Sequence, residues 1–91
     1  MKISARSPRY NKLKKRALEV FANHGGWLTA REWAILADFY PIRAAYSYLL
    51  RLHRFGLLAR CYRKERISYN LTPRGLDRLA WLEERFRISL G

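Results

Sequence analysis

LLARCYRKERISYNLTPRG, from Leu57 to Gly75, carries two signals at once. Ile67, Tyr69 and Leu71 alternate with Ser68 and Asn70, the period of a half-buried strand. Leu57 to Arg63 pairs with it as a hairpin whose tip is Lys64-Glu65 and its neighbours. That tip, Arg63-Lys64-Glu65-Arg66, is nearly all charge. Thr72-Pro73 then supplies a cap and a proline at the first helical position. The helix it opens carries Leu76, Leu79, Leu82 and Phe86 as its core stripe. Two strands and one helix cannot close a core alone, so the rest must come from upstream.

Upstream, three helical segments are legible. Ser7-Pro8 is a second cap-plus-proline start, and Leu13, Ala17, Val20 and Phe21 follow at helical spacing. Lys12, Lys14, Lys15 and Arg16 fall on the other flanks, and Gly25-Gly26 ends the helix after about Asn23. Thr29-Ala-Arg-Glu32 has the spacing of a capping box, with Leu28 and Trp33 placed for a hydrophobic staple. The spacing predicts a second helix over Ala30 to Ala37. Asp38-Phe39-Tyr40-Pro41 interrupts it, and Pro41 suits the first turn of a third helix that runs to about Phe55 and stops at Gly56. Its inner face is Ala45, Tyr48, Leu49 and Leu52; the outer face presents Arg43, Ser47, Leu50 and Arg54, flanked by Tyr46 and Arg51.

Ninety-one residues with 49% hydrophobic content make one domain with one core, residues 1–91. Residues 1–7 read as a basic arm and residues 73–91 as the C-terminal helix and tail. Charge is the outlier: 19 Lys and Arg against 7 Asp and Glu give a net +12. Such a surplus repels itself unless a polyanion lies against it, either nucleic acid or an anionic membrane. No apolar run is long enough to span a bilayer, and no signal-peptide core follows the first lysine. The single cysteine, Cys61, excludes an internal disulfide framework and fits a reducing, cytoplasmic setting.

The order is helix, a short strand around Trp27-Leu28, helix, helix, hairpin, helix: mainly α with a small β-hairpin. A short helix, a turn and a longer helix form a helix-turn-helix, and the hairpin behind it is a wing. Thr29-xx-Glu32-Trp33-Ala34, Leu49-xx-Leu52-xxx-Gly56-Leu57 and Leu71-Thr72-Pro73-Arg74-Gly75 stand in an order and at separations that resemble winged helix-turn-helix transcriptional regulators of the MarR and PadR kind. The resemblance covers Leu28 to Leu79. It departs at Asp38-Phe39-Tyr40-Pro41, where the family has a glycine, a small polar cap and about one residue fewer, and at the short wing tip. No ligand-sensing segment is visible, so effector control is not implied.

The resemblance implies sequence-specific binding of double-stranded DNA in transcription regulation, with the third helix in the major groove. Arg43, Tyr46, Ser47, Leu50 and Arg51 would then face the bases: Arg43 toward a guanine, Ser47 as donor or acceptor, Leu50 toward a thymine methyl. The bland alternative is a solvated face with one incidental leucine. Arg63, Lys64 and Arg66 on the wing suit phosphates more than bases, or they only discourage edge pairing. Lys12, Lys15 and Arg16 either touch the backbone or solubilise. A different class of function, a winged-helix module contacting RNA or protein within a larger assembly, fits the same surface.

Nothing in the sequence assembles a catalytic site. His24 and His53 have no triad partner nearby, two histidines and one cysteine fit no zinc spacing, and no glycine-rich phosphate loop or other cofactor or small-ligand signature occurs. Cys61 is either a small strand hydrophobe or a thiol activated by nearby arginines. The last helix carries Trp81 and Ile88 off its core stripe. They belong either to a homodimer interface, which would space two recognition helices about one DNA turn apart, or to a tail folded on helix one.

Overall fold

A computed structural model describes residues 8–90 of the chain. The basic arm and the Ser7 cap lie outside the described residues. The elements run α1 (Pro8–His24), β1 (Leu28–Thr29), α2 (Ala30–Ala37), α3 (Ile42–Arg54), β2 (Leu58–Arg63), β3 (Arg66–Leu71) and α4 (Pro73–Leu90). The three strands form an antiparallel sheet in the order β1-β3-β2. This is the winged helix-turn-helix fold, with four helices and a small sheet whose outer hairpin is the wing.

The α2 start is built as its spacing requires. Thr29 Oγ1 accepts from the Glu32 amide at 3.1 Å, and the Glu32 carboxylate accepts from the Thr29 amide at 2.9 Å. The helix ends in a Schellman arrangement: the Phe39 amide reaches the Ala34 carbonyl at 2.9 Å and the Asp38 amide reaches Ile35 at 3.3 Å. Asp38 takes the left-handed position, φ 55°, that glycine more often fills. The end of α3 repeats the motif with Gly56 at φ 82°, where Leu57 bonds back to Leu52 and Gly56 to His53. Pro41 sits just outside α3 as its cap residue, in extended conformation, and not in the first turn.

Three hydrophobic phases differ from the sequence pattern. On α1, Leu13 is exposed while Lys14, Ala17, Leu18 and Phe21 are buried. Ala17 and Phe21 keep their places, but the stripe is turned so that Lys14 and Leu18 are buried in place of Leu13, and Lys14 lies over the Phe55 ring at 5.8 Å. Its aliphatic stem tolerates burial that its charge alone would not. On α4, Leu76 is 53% exposed and the buried positions are Gly75, Leu79 and Leu82. On β3 the alternation reverses near the tip, since Ile67 is 40% exposed and Ser68 only 8%. The register explains it: Ser68 is paired on both sides, with Thr29 and Cys61, whereas Ile67 lies beyond the two-residue β1 and meets only Tyr62.

The wing is closed onto α4 by one knot. Thr72 donates through its hydroxyl to the Gly56 carbonyl at 2.6 Å and accepts from the Gly75 amide at 2.9 Å. The Thr72 amide meanwhile bonds the Leu57 carbonyl at 3.1 Å. Helix α4 approaches so closely that a Cβ on Gly75 would collide with that same Leu57 carbonyl. Gly75→Ala must therefore push backbone apart, an overpacking cost on the order of 3 kcal/mol. Thermal unfolding followed by circular dichroism should show a melting point lowered by more than about 10 °C. An unchanged transition would mean that the junction is loosely packed.

Candidate nucleic-acid interface

Two surfaces converge beside the sheet. The first is the outer side of α3, where Arg43, Tyr46, Ser47 and Arg51 are exposed and Leu50 is half-buried. The first turn of α3 holds no acid and no side-chain cap, so its amide ends carry the positive dipole outward. Ala45, Leu49 and Leu52 are buried beneath, as the sequence spacing predicts. Nδ1 of His53 donates to the Leu58 carbonyl at 2.9 Å, tying the end of α3 to the first wing strand.

The second surface is the wing. Arg63 and Arg66 are direct cross-strand partners, so Lys64-Glu65 is a two-residue turn. Both turn residues have positive φ, 48° and 63°, as a type I′ hairpin demands. Asn-Gly adopts that geometry readily; Lys-Glu does so under strain. Like charges directly opposite one another in a sheet are also destabilising. The tip therefore holds two guanidinium groups, an ammonium and one carboxylate in an unfavourable arrangement that a bound anion would relieve.

Between α3 and the wing lies a groove of about 730 Å³. Tyr46 and Leu50 line it from α3, Arg60 and Tyr62 from β2, and Arg66, Ile67 and Tyr69 from β3. Thr29, Ala30 and Arg31 also line it, and Glu65 is the one acid on the lining. The structure thus brings Tyr46, Leu50 and Arg66 of the expected set together. Arg43, Ser47, Arg51, Arg63 and Lys64 stand outside the groove, on the surrounding surface. Arg31, Arg60 and Tyr62 are groove residues that residue spacing does not mark. A two-residue tip fixes the register, and the register puts Arg60, Tyr62, Ile67 and Tyr69 on one face. Strand alternation marks the last two of these residues alone.

On helix α1 two of the expected cations also have partners within the chain. Arg16 donates through Nε at 3.2 Å and Nη2 at 2.8 Å to the Ala37 carbonyl, satisfying the C-terminal end of α2. Lys15 pairs with Glu19 at 2.7 Å. Lys12 stays exposed. On α4, Trp81 is 47% and Ile88 67% exposed. Arg78 and Arg85 lie over the Trp81 ring at 5.4 and 4.9 Å. Cys61 is half-buried opposite Ser68, on the other face of the sheet from the groove. Among the described residues no cluster of histidine, cysteine and acidic side chains could hold a metal ion, and no helix is long and apolar enough to cross a membrane.

The same fold occurs in two solved structures. Sso10a-2, a DNA-binding protein from Sulfolobus solfataricus, superposes with a TM-score of 0.68 at 20% identity, over 84% of this chain and 79% of that one. MepR, a transcription regulator of the Staphylococcus aureus multidrug efflux pump MepA, gives 0.72 at 19% identity, over 87% of this chain and 58% of MepR. No protein-family model and no curated protein sequence matches the chain.

The two hydrogen bonds from Arg16 to α2 generate a prediction. Arg16→Ala should lower stability by about 1 kcal/mol, the worth of a charged donor at a helix end. Urea unfolding measures the effect. An unchanged urea midpoint would mean that these two bonds add nothing to stability.

Proposed function

We propose that the chain is a cytoplasmic, sequence-specific double-stranded DNA-binding protein that regulates transcription by occupying its site, without catalysis. The observation that carries this reading is the wing tip. Arg63 and Arg66 face one another across a strained turn, beside an exposed α3 whose outer face is basic and polar. Phosphates on the wing would neutralise the one, and a major groove would accept the other. That Sso10a-2 is a DNA-binding protein and MepR a transcription regulator supports the same reading. In this pose Arg43, near the start of α3, reads a base edge, with Tyr46, Ser47, Leu50 and Arg51 beside it. Arg63, Lys64 and Arg66 hold backbone, with Lys12, Lys15 and Arg16 of α1 as further backbone contacts.

A second reading, a winged-helix module that docks on protein, is favoured by Ile35, Leu36 and Tyr40, which are all well exposed on and just after α2. Salt separates the two. Affinity for duplex DNA should fall with a log–log slope of roughly −0.9 per phosphate neutralised, whereas an apolar α2 contact would change little.

Arg43→Ala should cost about 1 to 3 kcal/mol on the preferred site and relax the choice at one base position. Lys64→Ala should instead weaken all sequences alike and make the salt slope shallower by about one unit. Competition against a panel of single-base variants reads both mutants together. If Arg43→Ala lowers every variant by the same factor, α3 does not read sequence through that residue.

We further propose a homodimer in which Trp81 and Ile88 meet their counterparts, since tryptophan and arginine side by side are favoured interface anchors. Trp81→Glu should give a folded monomer with weaker binding to a DNA carrying two half-sites. Sedimentation that finds the parent chain monomeric at binding concentrations removes the dimer from the scheme.

A further inference from the structure

The groove between α3 and the wing holds more aromatic surface than a regular duplex can use. Tyr62 is 72% exposed and Tyr46 more than half exposed, yet both line the same concavity. A stacked, paired duplex offers phosphates and base edges, which arginine and hydroxyl groups reach without using the face of a ring. A tyrosine ring offers a flat face, which matches the face of a nucleobase, and that face is accessible only when the base leaves the stack. The groove's volume, about 730 Å³, lies within the range of sites that enclose small organic groups. Its charged lining is three arginines, Arg31, Arg60 and Arg66, against Glu65, a surplus suited to the phosphates on either side of one base. Leu50 and Ile67 supply an apolar floor between them.

We infer that this groove is a site for an unpaired nucleobase with its flanking phosphates, so that the chain holds DNA containing an extra, unpaired nucleotide better than perfect duplex. The inference rests on the DNA-binding reading and specifies one subsite of it. Tyr62 is the ring that stacks; Arg60 and Arg66 hold backbone on either side. In a perfect duplex, filling the groove requires a base to be unstacked first, at a cost that a bulged nucleotide has already met.

The test uses the full chain and two labelled duplexes, identical except for a single-nucleotide bulge. Fluorescence anisotropy should find the bulged duplex bound about tenfold more tightly, the size of one base-on-aromatic stack. A 2-aminopurine at the bulge should lose emission on binding as it stacks. Tyr62→Ala should bring the affinity ratio of the two duplexes close to one, while Tyr62→Phe, which keeps the ring, should preserve it. Tyr62 is solvent-exposed on the wing, so neither change threatens folding. Equal affinity for the two duplexes overturns this inference and leaves the DNA reading standing. A preference that survives Tyr62→Ala overturns it as well, because the base would then sit elsewhere. Failure to bind either duplex at low salt overturns both.

Discussion

The geometry of the helix-turn-helix rests on the indole of Trp33. It is fully buried, and its N–H donates to the Ala17 carbonyl at 3.1 Å, anchoring α2 to the middle of α1. Its ring meets Phe39 at 5.0 Å and Tyr48 at 6.0 Å, and those two stack on each other at 5.6 Å. One side chain therefore joins α1, α2, the turn and α3. Aromatic pairs of this kind prefer tilted or offset contacts over face-to-face ones, so the cluster restricts the angle at which α3 leaves α2. The turn from Asp38 to Pro41 thereby has a packing role, because Phe39 from within it completes the cluster. Arg16 holds the carbonyl at the end of α2 from the other side. The outward face of α3 is fixed by what is packed behind it.

The wing obeys the opposite logic. Its base is tightly knotted through Thr72, Gly56, Leu57 and Gly75, while its tip combines two left-handed residues with a facing pair of arginines. Strain of this kind persists only where the surroundings hold it. Here the paired rows from Leu58↔Leu71 to Tyr62↔Ile67 do so, delivering the cations to a defined place beside α3. A longer, glycine-rich tip would relax the strain and lose that placement.

Much of this architecture is legible in residue spacing alone. The capping box at Thr29 and Glu32 gives the α2 start to the residue, because two reciprocal hydrogen bonds leave little freedom. Gly56 gives the α3 stop, and the hairpin follows from alternation and its charged tip. The features that spacing does not reveal depend on partners distant in the chain. The phase of α1 is ambiguous because Lys14 and Leu18 are as helical in spacing as Leu13, and the Phe55 ring helps decide which side faces inward. Ile67 and Ser68 exchange roles because β1 is too short to cover the outer row. Of the groove, Tyr46, Leu50 and Arg66 are visible from their own elements. Arg31, Arg60 and Tyr62 become functional candidates only when α2, α3 and the hairpin stand around one concavity.

In a chain with net charge +12 the few acids are placed unevenly. Of the seven, Glu19 lies on α1 and Asp77, Glu83 and Glu84 lie on α4. Glu32 is consumed by the capping box and Asp38 by the turn, which leaves Glu65 alone on the wing. The two ion pairs among the described residues, Lys15–Glu19 and Glu84–Arg87, sit correspondingly on α1 and α4. Cations on that half are thus partly neutralised or turned to internal use, as Arg16 is. Those of the wing and α3 have almost no acid among them, so their mutual repulsion falls when an anion arrives and not before. Helix α1 stays basic too, with Arg9, Lys12, Lys14, Lys15 and Arg16 against Glu19, so what sets the wing and α3 apart is that their cations have almost no acid and no structural use to offset them.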